Sequence, residues 1–197
     1  MSKRVMVIAA MLTIGLFSSL GLAQDTTQDS SMKKDPVKQD SMKKDSSSTI
    51  GSSDKKFIME TAQGGMMEVE LAKLAVEKAS NDEVKQYAQR LVDDHTKAND
   101  ELTQLASQKG VVIPHDEKAM MKGKDKLSKL SGADFDREFM SMMIKDHTKE
   151  VKEFEDVSAK AKDTDVKDWA AKTLPTLREH LQMARDINGK VAMTKSK

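Results

Sequence analysis

The apolar side chains after Ser53 constrain the fold of this chain more than any other feature of its sequence. They recur at helical spacing in four long segments, and each segment is followed by residues that stop a helix. The predicted helices are, in order, 54–79, 80–109, 131–161 and 163–189. The pattern predicts an all-α fold.

The connections between these segments indicate how the helices are arranged. The capping box SNDE, residues 80–83, separates the first two helices, and Asp163 or Thr164 begins the fourth directly after the third. Residues 110–131 are a longer connection that contains Gly110 and Pro114 and is predicted to hold a short helix at 117–130. Two tight hairpins joined by a long crossover favour a four-helix bundle of the ferritin-like kind. An up-down-up-down order is also compatible with the sequence.

The first 53 residues differ in composition from this helical region. Residues 1–23 have a basic start, an apolar run and small residues before Gln24, which is typical of a secretory signal peptide cleaved after Ala23, with an uncleaved anchor as the alternative. Residues 24–53 contain SMKKD twice and few apolar side chains, so we predict a disordered linker. The predicted organisation is a signal peptide (1–23), a linker (24–53), the bundle (54–190) and a tail (191–197).

Composition excludes several classes of protein. Lys and Arg number 33 against 32 Asp and Glu, and there are one Trp and one Tyr, so neither the charge nor the stacking residues of a nucleic-acid-binding protein are present. The chain has no cysteine and therefore no disulfide or thiolate metal site. We expect an exported protein, periplasmic or extracellular, without a membrane span after leader cleavage. Association with the outer membrane, a homo-oligomer or a partner in the cell envelope remain options.

Histidine is rare in the chain, and its positions are not random. Two of the four histidines lie in a repeated Asp-His-Thr-Lys, as His95 and His147. On a helical wheel, His95, His147 and His180 each fall within the apolar stripe of their helix, and Glu68 falls within the stripe of the first helix. His115 follows Pro114 in the connection, where we expect it at the surface.

The four inward residues are also predicted to lie at similar heights, because each is near the middle of its helix. One carboxylate and three imidazoles buried together must satisfy each other, bind water or bind a metal. Imidazole and carboxylate suit Zn, Cu, Ni or Fe. The candidate ligands are Glu68, His95, His147, His180 and, one turn after His147, Glu150. The alternative is a hydrogen-bonded polar layer that only sets the register of the helices, in a structural or interaction module of the cell envelope that is connected with stress.

Three longer stretches resemble a known family. They are FIMETAQGGMMEVELAKLAVEKASNDEVKQYAQRLVDDHTKANDEL, LSGADFDREFM and AAKTLPTLREHLQMAR. They are similar to a bacterial family of exported ferritin-like domains of unknown function, often labelled predicted outer-membrane proteins. The resemblance covers about residues 55–190 and implies a four-helix ferritin-like fold and export. It implies no activity.

The sequence departs from di-iron bundles, which use a Glu-x-x-His pair on each of two helices. Three residues before His95, His147 and His180 stand Val92, Ile144 and Leu177. A di-iron centre is therefore not expected. We also find no GxSxG elbow and no evident serine partner for the inward histidines. No catalytic residue is predicted.

Overall fold

A computed structural model describes residues 50–193 of the chain, with the side chains of all of these except 119–122 and 193. This part of the chain is helical throughout apart from its connections. The helices are α1 (Ser52–Lys78), α2 (Asp82–Gln108), α3 (Glu117–Ser128), α4 (Gly132–Lys160) and α5 (Thr164–Met193). The all-α prediction is confirmed. The predicted signal peptide and nearly all of the predicted linker lie outside the described residues.

The topology is two antiparallel hairpins joined by a long crossover. α1 packs along α2, α4 packs along α5, and the crossover contains α3, which contacts α1 and α4. The predicted short helix of the connection is α3, and the predicted ferritin-like arrangement is confirmed. None of the helices between residues 50 and 193 combines the length and apolarity needed to cross a bilayer.

The apolar core of the bundle is divided into two clusters. One contains Phe57, Phe154 and Trp169, whose rings pack with centroids 5.1–6.2 Å apart. The other contains Tyr87 and Phe139. In each of the four long helices, the predicted inward polar residue lies between the segment that enters one cluster and the segment that enters the other. The polar layer is thus enclosed by apolar packing above and below.

Each hairpin turn is held by a buried aspartate of the other hairpin. Oδ2 of Asp54, near the start of α1, accepts hydrogen bonds from the backbone N–H groups of Lys162 and Asp163, at 3.0 and 2.9 Å. Asp136, near the start of α4, accepts from the backbone N–H groups of Ser80 and Asn81, both at 3.0 Å. These buried carboxylates accept from the partly exposed backbone donors of the turns, so they fix the register of one hairpin on the other.

This reciprocity reflects an internal repeat in the sequence. Identical or chemically similar residues occur in the two hairpins at the same spacing, from the clamping aspartate through the turn and into the following helix. The pairs are Asp54 and Asp136, Phe57 and Phe139, Glu68 and Glu150, Val69 and Val151, Ala79 and Ala161, Asn81 and Asp163, Val84 and Val166, Tyr87 and Trp169, and Ala88 and Ala170. The two hairpins are therefore variants of one structural unit. Glu68 and Glu150 occupy equivalent positions in them.

Two details of the helix ends differ from the prediction. Asn81, not Ser80, caps α2, accepting from the N–H groups of Glu83 and Val84, because Asp136 engages the hydroxyl and N–H of Ser80. α5 does not end at Gly189 but continues to Met193. Val191, which is 2% exposed, packs in the core, and this burial favours continuing the helix through an exposed glycine.

Candidate metal centre

Four long helices each place one ligand-type side chain in the centre of the bundle. Glu68 comes from α1, His95 from α2, His147 from α4 and His180 from α5, and none is more than 6% exposed. The three imidazole centroids form a nearly equilateral triangle with sides of 5.3–5.5 Å. One nitrogen of each ring lies within 4.8 Å of one nitrogen of the other two. The structure thus brings together the residues that the wheel projection predicted to converge.

The hydrogen bonds of His147 and His180 determine which ring nitrogens carry protons. His147 Nδ1 lies 3.0 Å from the carbonyl oxygen of Met143, which can only accept, so Nδ1 carries the proton and Nε2 presents a lone pair. His180 Nε2 lies 2.8 Å from Oδ2 of Asp94, so Nε2 donates and Nδ1 presents a lone pair. In the neutral rings these two lone pairs face each other, with His147 Nε2 and His180 Nδ1 3.3 Å apart.

The 3.3 Å distance between His147 Nε2 and His180 Nδ1 indicates what can lie between these two atoms. Two facing lone pairs repel each other unless a proton or a cation lies between them. Burial lowers the pKa of His147 to about 3 and the pKa of His180 to about 4, so a shared proton is disfavoured near neutral pH. Two nitrogens bound to one tetrahedral metal at about 2.0–2.1 Å are separated by about 3.3–3.4 Å. The pair is therefore spaced as two ligands of a single transition-metal ion.

His95 supplies a third nitrogen to this group. Its Nδ1 lies 3.4 Å from Oε2 of Glu68, and its Nε2 is buried without a hydrogen-bond partner among the described residues. Burial lowers the pKa of His95 to about 4, so this ring is also neutral. A neutral imidazole keeps one ring-nitrogen lone pair for a ligand, and the unpartnered Nε2 of His95 is available for this role.

A buried carboxyl pair lies beside the histidines. Glu68 is 2% exposed and Glu150 is half-buried, and ligand-type atoms of Glu68, Glu150 and His147 lie within 4.8 Å of one another. Burial raises the pKa of Glu68 to about 8, and burial followed by repulsion from Glu68 raises the pKa of Glu150 well above its ordinary value. Placing a cation between them would remove that repulsion. The five predicted ligands therefore form two groups that share His147: the three histidines, and Glu68 and Glu150 together with His147.

A cleft connects the glutamate pair with the surface. Its volume is about 350 Å³, and its wall includes exposed residues such as Glu60 and Lys149. Five carboxylates line it against one lysine; they are those of Glu60, Glu68, Asp146, Glu150 and Glu153. Such a cleft concentrates cations and provides a route to the buried layer.

Sequence reasoning missed the role of the aspartate that precedes each repeated histidine. Asp94 hydrogen-bonds His180 and pairs with Arg90 at 3.3 Å, and Asp146 lines the acidic cleft. The signal was present, because the repeated motif begins with aspartate. On separate helical wheels both aspartates fall beside the apolar stripe, so their partners on other helices were not apparent. His115, as predicted, lies at the surface with 64% of its side chain exposed.

The ligand arrangement corresponds in part to that of di-iron bundles. Those proteins use one glutamate from each of two helices and a Glu-x-x-His from each of the other two. Here α1 and α4 supply Glu68 and Glu150, while α2 and α5 supply His95 and His180. The second pair of glutamates is replaced by Val92 and Leu177. The site is therefore richer in imidazole than a di-iron centre.

Comparison with known protein families identifies the family of this chain. The model of the domain of unknown function DUF4142 matches residues 39–187. This chain belongs to the DUF4142 family. The match begins inside the predicted linker and includes every candidate ligand. It confirms a family of unknown function, and no curated protein matches the sequence.

Two solved structures share the fold. A crystal structure of a DUF305 fragment from Deinococcus radiodurans has a TM-score of 0.63 and 18% sequence identity, covering 72% of this chain and 98% of the fragment. A structure described as CopM in the Cu(II)-bound form has a TM-score of 0.58 and 19% identity, covering 70% of this chain and 96% of its own. At these identities the likeness establishes the helical-bundle fold alone.

Proposed function

We propose that this DUF4142 protein is an exported metal-binding protein that holds a divalent transition ion between His95, His147 and His180. The proposal rests on two ring nitrogens, His147 Nε2 and His180 Nδ1, which lie 3.3 Å apart in a buried layer. Each of them presents a lone pair to the other. A polar layer built only for register would place a donor opposite an acceptor at that position. The Met143 carbonyl and the Asp94 carboxylate instead turn both lone pairs inward.

The chemistry of the ligands favours copper among the divalent metals. Three neutral imidazoles bind Zn, Cu, Ni and Fe, and Cu(II) binds most tightly of these at a given nitrogen site. The fold is shared with a protein whose structure is described as its Cu(II)-bound form, which supports copper as the ion here. We therefore expect Cu(II) to stabilise the protein most, followed by Zn and Ni, with Fe(II) weakest.

Melting of the metal-free protein with each metal in turn tests the proposal. A ligand present at a hundred times its dissociation constant adds about 2.7 kcal/mol to the free energy of unfolding. His147→Ala and His180→Ala should abolish this gain, whereas His115→Ala should retain it because His115 lies at the surface. If no metal raises the melting temperature, or if all three variants respond like the parent, the buried residues form a structural polar layer.

Fluorescence provides an independent readout. Trp169 is the only tryptophan of the chain, and it lines a small cavity of about 20 Å³ together with His95 and Glu150. Paramagnetic Cu(II) at the three histidines should quench its emission with a stoichiometry of one ion per chain. Zn(II) should compete for the site and restore the emission. Quenching that survives His180→Ala would place the copper elsewhere.

A further inference from the structure

We infer that Glu68 and Glu150 form a second cation position, separate from the three histidines, that takes a hard divalent ion such as Mn(II) from the acidic cleft. The inference rests on the proposed function only in that the histidines are assigned to another ion. The second position differs from the histidine site in its ligands, which are carboxylate oxygens, and in its access to solvent through the cleft.

The state of the two carboxyl groups is the first argument. Both oxygens of Glu68 and Oε2 of Glu150 are buried, and apart from the contact of the two carboxyl groups with each other they have no hydrogen-bond partner among the residues that the structure describes. An unpartnered buried carboxylate costs several kcal/mol unless a proton or a cation neutralises it. The neighbouring imidazoles do not supply strong hydrogen bonds, since His95 Nδ1 and His147 Nδ1 lie 3.4 and 3.6 Å from the Glu68 oxygens.

The internal repeat is the second argument. Glu68 and Glu150 are equivalent residues of the two hairpins, so the packing of α1 against α4 brings the same position of each unit to one place. The histidines do not follow the repeat, because Leu177 and Gly65 stand at the positions equivalent to His95 and His147. The carboxyl pair therefore follows the internal repeat of the two hairpins, whereas the histidines do not.

The cleft is the third argument. Glu68 and Glu150 lie in its wall, and Asp146 and Glu153 add negative charge along it. Carboxylate and water oxygens are the ligands that Mn(II) prefers, whereas imidazoles prefer later transition metals. An ion at the glutamates can keep water ligands from the cleft, which has ample volume for them at about 350 Å³.

Electron paramagnetic resonance of Mn(II) tests the inference, because bound Mn(II) loses the sharp signal of the free ion. The purified protein is first loaded with one equivalent of Zn(II) and then titrated with Mn(II), and we expect one Mn(II) per chain in addition to the zinc. Glu150→Gln should weaken Mn(II) binding at least about tenfold while zinc remains bound. Glu77→Gln, the same change at an exposed glutamate of α1 that does not line the cleft, should leave both stoichiometries unchanged.

The outcomes separate this inference from the proposed function. Mn(II) binding that persists in His180→Ala after zinc binding is lost supports the second position whatever ion the histidines hold. Zinc binding without Mn(II) binding in the parent overturns the second position and leaves the histidine site standing. Equal Mn(II) affinity in Glu150→Gln and the parent overturns it as well. Circular dichroism of each variant confirms that its helices are intact.

Discussion

Replacing Asp94 with asparagine should weaken binding of the proposed metal ion, although Asp94 is not one of its proposed ligands. The Asp94 carboxylate accepts the Nε2–H of His180 at 2.8 Å, which directs the Nδ1 lone pair towards the other histidines. A neutral amide accepts a weaker hydrogen bond and no longer favours the positive charge that the ring gains on binding. Loss of such an outer partner lowers metal affinity about 10- to 100-fold. Because the Asp94 side chain is 35% exposed, we expect the lower end of that range.

The effect can be followed by melting. At a free metal concentration of about a thousand times the parental dissociation constant, binding adds about 4.1 kcal/mol, and a tenfold loss leaves about 2.7 kcal/mol. For a domain of this size 1 kcal/mol corresponds to about 2–4 °C, so the metal-induced shift should fall by about 3–6 °C. The variants are compared by the metal-induced shift and not by the melting temperature itself. Loss of the Asp94–Arg90 ion pair can also change the stability of the metal-free protein.

The neighbouring residue offers a matched control. Asp93 is exposed and accepts a hydrogen bond from Gln89 on its own helix. Asp93→Asn removes the same charge one position away and should keep the full metal-induced shift. If Asp94→Asn and Asp93→Asn both behave like the parent, Asp94 does not orient His180 for metal binding, and the reasoning from ring protonation is refuted.

Three further predictions concern stability and export. Asp136→Ala should lower the free energy of unfolding by about 1–3 kcal/mol in a denaturant titration, because the N–H groups of the α1–α2 turn lose their carboxylate acceptor; a loss below about 0.5 kcal/mol would contradict the clamp. Burial opposes ionisation of Asp163, but the ion pair with Lys109 at 2.8 Å outweighs it and lowers the pKa of Asp163. This stabilisation is present at neutral pH and is lost as pH falls through the lowered pKa, so Asp163→Asn should destabilise the protein by about 0.5–1 kcal/mol at pH 7 and by less near pH 2, whereas an equal effect at both pH values would contradict it. We predict export with cleavage after Ala23, so N-terminal sequencing of protein recovered from the periplasm or the medium should begin at or near Gln24, and recovery of the full-length chain in membranes would instead indicate an anchor.

Much of the fold could be predicted because each helix carries its own apolar stripe and stop signals. The convergence of Glu68, His95, His147 and His180 followed from direction and height on separate helices, both of which are local properties of sequence. The end of α5 could not be predicted from the local sequence, since the burial of Val191 depends on packing between helices. The capping role of Ser80 was wrong for the same reason, because Asp136 from the other hairpin engages it.

The internal arrangement of the site could not be predicted from helical wheels. Which nitrogen of His147 carries the proton depends on the Met143 carbonyl, and the orientation of His180 depends on Asp94 across the α2–α5 interface. A wheel gives the direction of a side chain, whereas ligand geometry depends on distances of a few tenths of an ångström between different helices.

X-ray absorption of the protein loaded with one equivalent of Zn(II) tests the central claim most directly. The zinc edge reports the atoms bound to the metal and their distances, and imidazole rings give a characteristic outer-shell scattering. We predict three imidazole nitrogens at about 2.0–2.1 Å in the parent and a loss of imidazole scattering in His180→Ala. A first shell made only of oxygen, or one with sulfur at about 2.3 Å, would contradict a metal site formed by His95, His147 and His180.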